Sequence, residues 1–186
     1  MLRKKSKPNT YAFIDSQNLN LGTQRVGWKV DWRKFRQFLK DKHGVTKAYM
    51  FIGYMSENES LYEYMHELGF LVVLKPTVDV NIPKDVASAV ENNEKDDKEK
   101  PTVKGNVDAE LVLYAMKELP NYERAIIVSG DGDFFSLAEY LDEQGKLASI
   151  MAPNWQYSSL LKPFEQKIIR LDQLRRQLSY HDRKKK

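Results

Sequence analysis

Short apolar runs alternate along the chain with segments whose apolar residues recur at helical spacing. Residues 11–15 (YAFID) predict a buried strand that ends at its own carboxylate. Asp31 is placed to cap a helix over 32–42, with Phe35, Phe38 and Leu39 on one face. A second strand follows at 47–54 (KAYMFIGY). Next comes a helix over 57–68, turning Leu61, Tyr64, Met65 and Leu68 inward and closed by Gly69 just past its end. Residues 70–75 (FLVVLK) read as a third strand. After a long polar stretch, a helix at 107–119 stops at Pro120, a strand occupies 124–129 (RAIIVS), and a helix at 134–143 ends at Gly145. A strand at 146–151, a short helix around 158–164, a strand at 167–171 and a helix at 172–178 complete the pattern.

Strands separated by helices of about ten residues predict βαβ units, hence an α/β fold with a central, mainly parallel sheet. Right-handed crossovers place helices on both of its faces. In such sheets ligands bind beyond the carboxyl ends of the strands, where the strand order reverses.

Four acids fall at that edge or beside it. Asp15 closes the first strand, Asp131 and Asp133 follow the strand at 124–129 in SGDGDF, and Asp108 opens a helix in KGNVDAEL. Each has an ordinary explanation. Asp15 can cap a turn, Asp133 can cap the helix behind it, and Asp108 is favoured at a helix start by the dipole. Together, however, converging carboxylates repel one another unless a divalent cation neutralises them. With no His or Cys among them, the set suits Mg²⁺ or Mn²⁺ rather than zinc. Ser129 is placed to orient Asp131 or a metal-bound water, and Asn18 to meet a phosphate or hold Asp15. Lys75 and Lys104 flank the polar stretch and could meet substrate phosphates, or be simply solvated. Glu110 is a poorer candidate, because two residues along a helix is about 200° of rotation away from Asp108. His43, His66 and His181 show no ligand spacing.

Composition narrows the chemistry further. The 186-residue chain contains no cysteine, which excludes disulfides, thiolate metal sites and thiol catalysis and fits a reducing compartment. No apolar stretch follows the basic N-terminus and none is long enough to span a bilayer, so no signal peptide or membrane helix is expected, and the cytoplasm is the expected location. The net charge of +4 is concentrated at the ends, leaving the intervening body net negative. We therefore divide the chain into a basic tail at 1–10, a single domain at 11–178 and a basic tail at 179–186. The tails either contact nucleic-acid phosphates or merely aid solubility. Within the domain, residues 79–103 form a charged insertion expected to be mobile, whose core at 92–100 (NNEKDDKEK) has no apolar residue. It is either a tolerated surface insertion or a lid or RNA guide.

The segments FIDSQNL, GYMSENESLYEYMHELGF, KGNVDAELVLYAM, IIVSGDGDFFSLAEYL and KLASIMAPN resemble a NYN domain of the bacterial LabA-like group, within the PIN-like nuclease superfamily, over nearly the whole chain. The resemblance implies a PIN-like three-layer α/β/α sandwich. It implies a Mg²⁺- or Mn²⁺-dependent ribonuclease, with RNA as partner and Asp15, Asn18, Asp108, Asp131 and Asp133 at the site. It also raises the prospect of a homodimer. One departure is local: Tyr114 stands where many relatives carry a further Asp, which leaves a non-catalytic RNA-binding module as the alternative. A dehalogenase-type phosphatase is disfavoured, since the second Asp it needs two residues after Asp15 is Gln17 here.

Overall fold

A computed structural model describes residues 8–54, 56–75 and 107–181, so the 79–103 insertion and Lys104 lie outside the described residues. Six strands form one sheet: β1 (Thr10–Asp15), β2 (Val45–Gly53), β3 (Leu71–Lys75), β4 (Arg124–Val128), β5 (Leu147–Ala152) and β6 (Ile168–Arg170). Their order is β3-β2-β1-β4-β5-β6 and every pairing is parallel. The chain winds outward from β1 through β2 to β3, then returns to lay β4 on the other side of β1. That reversal puts the switch point between the ends of β1 and β4.

Both faces of the sheet are covered, which is why β1 is buried throughout rather than alternating. Tyr11, Phe13, Tyr49, Phe51, Ala125 and Ile127 point to one face, where Leu111 and Ala115 of α4 (Asp108–Lys117) and Leu137, Ala138 and Leu141 of α5 (Phe135–Glu143) meet them. Ala12, Ile14, Ala48, Met50, Ile126 and Val128 point the other way. There they meet Leu19 of α1 (Ser16–Arg25), Phe35, Phe38 and Leu39 of α2 (Trp32–His43), and Met65 of α3 (Glu59–Glu67). The result is the expected three-layer sandwich. A last short helix, α6 (Arg175–Leu178), packs Leu178 into the second core, and Ser179 bridges to Val30.

The helix ends follow the sequence signals in some places and depart from them in others. Asp31 caps α2 by accepting the Lys34 N–H at 3.1 Å, and Gly44 closes that helix with φ 66°. Helix α3 differs in phase from the expected pattern. A 3₁₀ turn at Ser56–Asn58 precedes it, Tyr62 and Met65 are the buried residues, and Leu61 and Tyr64 are exposed. Tyr62 turns inward because its hydroxyl reaches the Gly53 carbonyl at 3.4 Å and its ring packs beside Tyr54. The largest departure is α1, which the sequence pattern does not predict. SQNLNLGTQR is polar and buries only Leu19 and Thr23, one turn apart. Among the described residues no helix is long and apolar enough to cross a membrane.

Candidate active site

Asp15 is the last residue of β1 and also the N-cap of α1, so one side chain joins strand to helix. One carboxylate oxygen accepts the Asn18 N–H at 3.0 Å, and the other accepts the Ser129 hydroxyl at 3.3 Å. Ser129, just past β4, in turn accepts the Asp131 N–H at 3.1 Å, and Asp131 accepts the Asp133 N–H at 3.1 Å. The Asn18 side-chain oxygen accepts the Gly130 N–H at 2.9 Å. These bonds fasten the ends of two neighbouring strands to each other.

Above them opens a cleft of about 360 Å³ whose walls include Asp15, Asn18, Asp108, Asp131 and Asp133. All four candidate acids therefore share one cavity. Asp15 lies deepest, at 5% exposure, whereas Asp133 stands exposed at the rim. Burial is the main force on Asp15 and pushes its pKa up to about 6. The Asn18 N–H and the Ser129 hydroxyl work against that rise, while the charges of Asp108 and Asp131 add to it. Asp15 thus feels the charges of two of the other acids.

The donor set fits a hard cation that is only partly held by the protein. Among the described residues no three acidic or histidine side chains stand close enough together to grip an ion by themselves. Mg²⁺ does not demand that, because it keeps several waters and takes one or two carboxylates together with substrate phosphates. A carboxyl raised by burial and by its acidic neighbours is the group such a charge would stabilise most.

The other sequence candidates fall into place around this cleft. Ser129 contacts Asp15 directly and touches Asp131 through its backbone. Glu110 does not line the cleft and pairs with Lys75 at 3.1 Å. Tyr114 is absent from the cleft walls. Its ring packs against Tyr49 at 5.7 Å and Phe51 at 5.6 Å beneath α4, so its identity bears on the core rather than on the acids.

Sequence reasoning missed several wall residues, for one reason. Leu21, Gly22 and Arg25 follow the already expected Asn18 at i+3, i+4 and i+7 of α1, and this whole face lines the cleft, bringing in a guanidinium. The spacing was available in the sequence, but without the helix it had no meaning. Opposite them run Pro153, Asn154, Gln156 and Tyr157, from the loop after β5. Gly22 permits the close approach, since a Cβ there would lie 2.6 Å from that of Pro153. Asn154 is buried and donates to the Gly22 carbonyl at 2.7 Å, tying the loop to α1.

The sequence profile of the NYN domain matches residues 9–172, which takes in every strand, the cleft and both of its walls. The chain belongs to the NYN domain family. This NYN protein is similar to the Low amplitude and bright protein LabA of Synechococcus elongatus, 23% identical over 175 residues, 91% of this chain and 87% of that one. A crystal structure of a protein of unknown function from Vibrio parahaemolyticus superposes with a TM-score of 0.70 at 20% identity, covering 92% of this chain and 97% of the other. That likeness concerns the fold, and it agrees with a PIN-like arrangement of the NYN sheet.

Proposed function

We propose that this NYN protein is a ribonuclease that hydrolyses RNA phosphodiesters with the aid of Mg²⁺ or Mn²⁺. The observation that carries the reading is Asp15, a carboxyl at the switch point whose pKa is raised by burial and further by the charges of Asp108 and Asp131. Asp15, Asp108 and Asp131 would hold the cation. When bound, it would lower the pKa of a coordinated water and offset charge developing on the scissile phosphate.

The chain's own residues do the rest. Ser129 and the Asn18 N–H keep the Asp15 carboxylate oriented toward the cleft. Asn18 also holds the Gly130 loop, which positions Asp131. Arg25, which also lines the cleft, offers a positive charge to the RNA backbone where the acids would otherwise repel it. Asp133 at the rim meets whatever enters from solvent.

A second reading is an RNA-binding module that does not cut, favoured by the lack of a ready-made three-acid cluster among the described residues. Labelled single-stranded and hairpin RNAs incubated with Mn²⁺, Mg²⁺ or EDTA separate the two. Cleavage that needs the cation and disappears in Asp131→Asn supports the nuclease. Intact RNA throughout, with binding that ignores EDTA, supports the module.

A further inference from the structure

The loop that forms the far wall of the cleft carries a side chain the cleft does not use. Trp155 sits between Asn154 and Gln156, both wall residues, yet the residue is 54% exposed. Exposure alone says little, but here the ring is not loose. The Arg170 guanidinium lies over it, 5.8 Å from the ring centroid. Arg170 is itself fixed, donating through Nε to one Asp172 oxygen at 3.1 Å and through a terminal nitrogen to the other at 2.6 Å. A forked ion pair of this kind holds the guanidinium plane rigid. One side of the indole is therefore backed by a braced cation, while the residue as a whole stays exposed.

The location matters as much as the chemistry. Arg170 ends β6 and pairs in register with Ala152 of β5, so the platform stands on the same carboxyl edge of the sheet as the acids. From β1 to β6 there are three strand spacings, about 14 Å, a distance a single strand of nucleic acid crosses in a few nucleotides. Tyr157, part-way along that path, contributes to the wall between them.

We propose that Trp155, backed by Arg170, is a base-stacking subsite for single-stranded RNA whose scissile phosphate lies over Asp15. The proposal rests on the ribonuclease reading and adds to it a place where an unpaired base is held. A flat apolar ring presented beside a cation suits a nucleobase, because every base has a π-face and stacking tolerates any sequence. Paired bases in a hairpin stem cannot reach such a ring, so the subsite selects unpaired segments.

The test uses the full chain and a labelled single-stranded decamer, with a second decamer of the same phosphates but abasic sugars. Binding is followed by fluorescence anisotropy in EDTA, and cleavage separately in Mn²⁺. Trp155→Ala should weaken binding of the ordinary decamer by about 5- to 150-fold, the range for losing one stacked base. It should leave binding of the abasic decamer unchanged, and Trp155→Phe should restore most of the loss. Thermal melts at the wild-type temperature confirm that these exposed-site variants fold. If Trp155→Ala binds the ordinary decamer as tightly as wild type while Mn²⁺-dependent cleavage persists, the stacking subsite is overturned and the nuclease stands. If wild type neither binds nor cuts either RNA, both fall.

Discussion

The two edges of the sheet are built on opposite principles. At the amino edge, polar groups meet complementary partners. Lys146 donates to the Leu119 carbonyl at 2.9 Å and to that of Tyr122, and Asn9 bonds Glu123 and Asn121. Lys47 pairs with Glu118 at 3.5 Å, and the buried Tyr122 hydroxyl donates to Ala115 at 2.9 Å. At the carboxyl edge the outer strands end in ion pairs, Lys75 with Glu110 and Arg170 with Asp172. Between β1 and β4, however, Asp15 faces the charges of Asp108 and Asp131 and is buried well enough to resist ionisation. One edge stabilises the fold. The other holds a local instability, of the sort found where a site is shaped for a ligand rather than for itself.

The contrast can be broken most sharply at the acids. Asp131→Asn should reduce RNA cleavage by about a thousandfold, the loss of several kcal/mol of cation-derived stabilisation at about 1.4 kcal/mol per tenfold, as read by single-turnover assays. Its far-UV spectrum should stay native.

The amino edge should respond in stability instead. Tyr122→Ala removes a fully buried ring that packs on Tyr11 and Phe13 and strands the Ala115 carbonyl. The expected loss is about 3–5 kcal/mol by chemical denaturation.

Asp15→Asn should do the reverse and stabilise the apoprotein at neutral pH. Folding raises this carboxyl from 3.8 to about 6, so its ionisation costs the folded state more as the pH rises through that window. Above pH 6 the penalty is complete, and the variant should gain up to about 3 kcal/mol, or roughly 1.4 kcal/mol for each pH unit that separates the folded from the unfolded titration. The gain should shrink as the pH falls from 6 toward 4. Asparagine can still cap α1, so the helix start is kept. Added Mn²⁺ should raise the melting temperature of wild type but not of this variant. Equal denaturation midpoints for the two proteins at pH 7 and pH 4 would remove the claim of stored instability.

The smallest effect belongs to Glu118→Gln, which breaks a half-exposed ion pair. It should cost less than about 1 kcal/mol, and the difference from wild type should fade in high salt.

Of this contrast the carboxyl edge was legible in the sequence and the amino-edge bonds were not, for physical causes. Strands stood out because a sheet covered on both faces makes them uninterrupted apolar runs, as in 11–15 and 124–129. The four acids were legible because each closes or follows such a run or opens a helix. Helix α1 was hidden because its stability comes from outside its own pattern: an Asp15 cap, one buried leucine and a glycine seated against Pro153. Its propensity is poor, with Asn, Ser and Gly in ten residues, and tertiary contact overrides that. The phase of α3 was misjudged since Leu61 outranks Tyr62 in hydropathy, while only Tyr62 has a carbonyl to bond on turning inward. Trp155 carried no periodic signal at all, being a loop residue whose setting depends on Arg170 in another strand.

The bond between Asn18 and Gly130 joins residues 112 positions apart. Its counterpart from Ser129 to Asp15 spans 114. On the ribosome, Asp15 emerges early but has none of its distant partners until β4 has left the exit tunnel. At about 5–20 residues per second, that is an interval of several seconds. The cleft therefore cannot form before β4 has emerged, and a chain released earlier carries the first acid without a site.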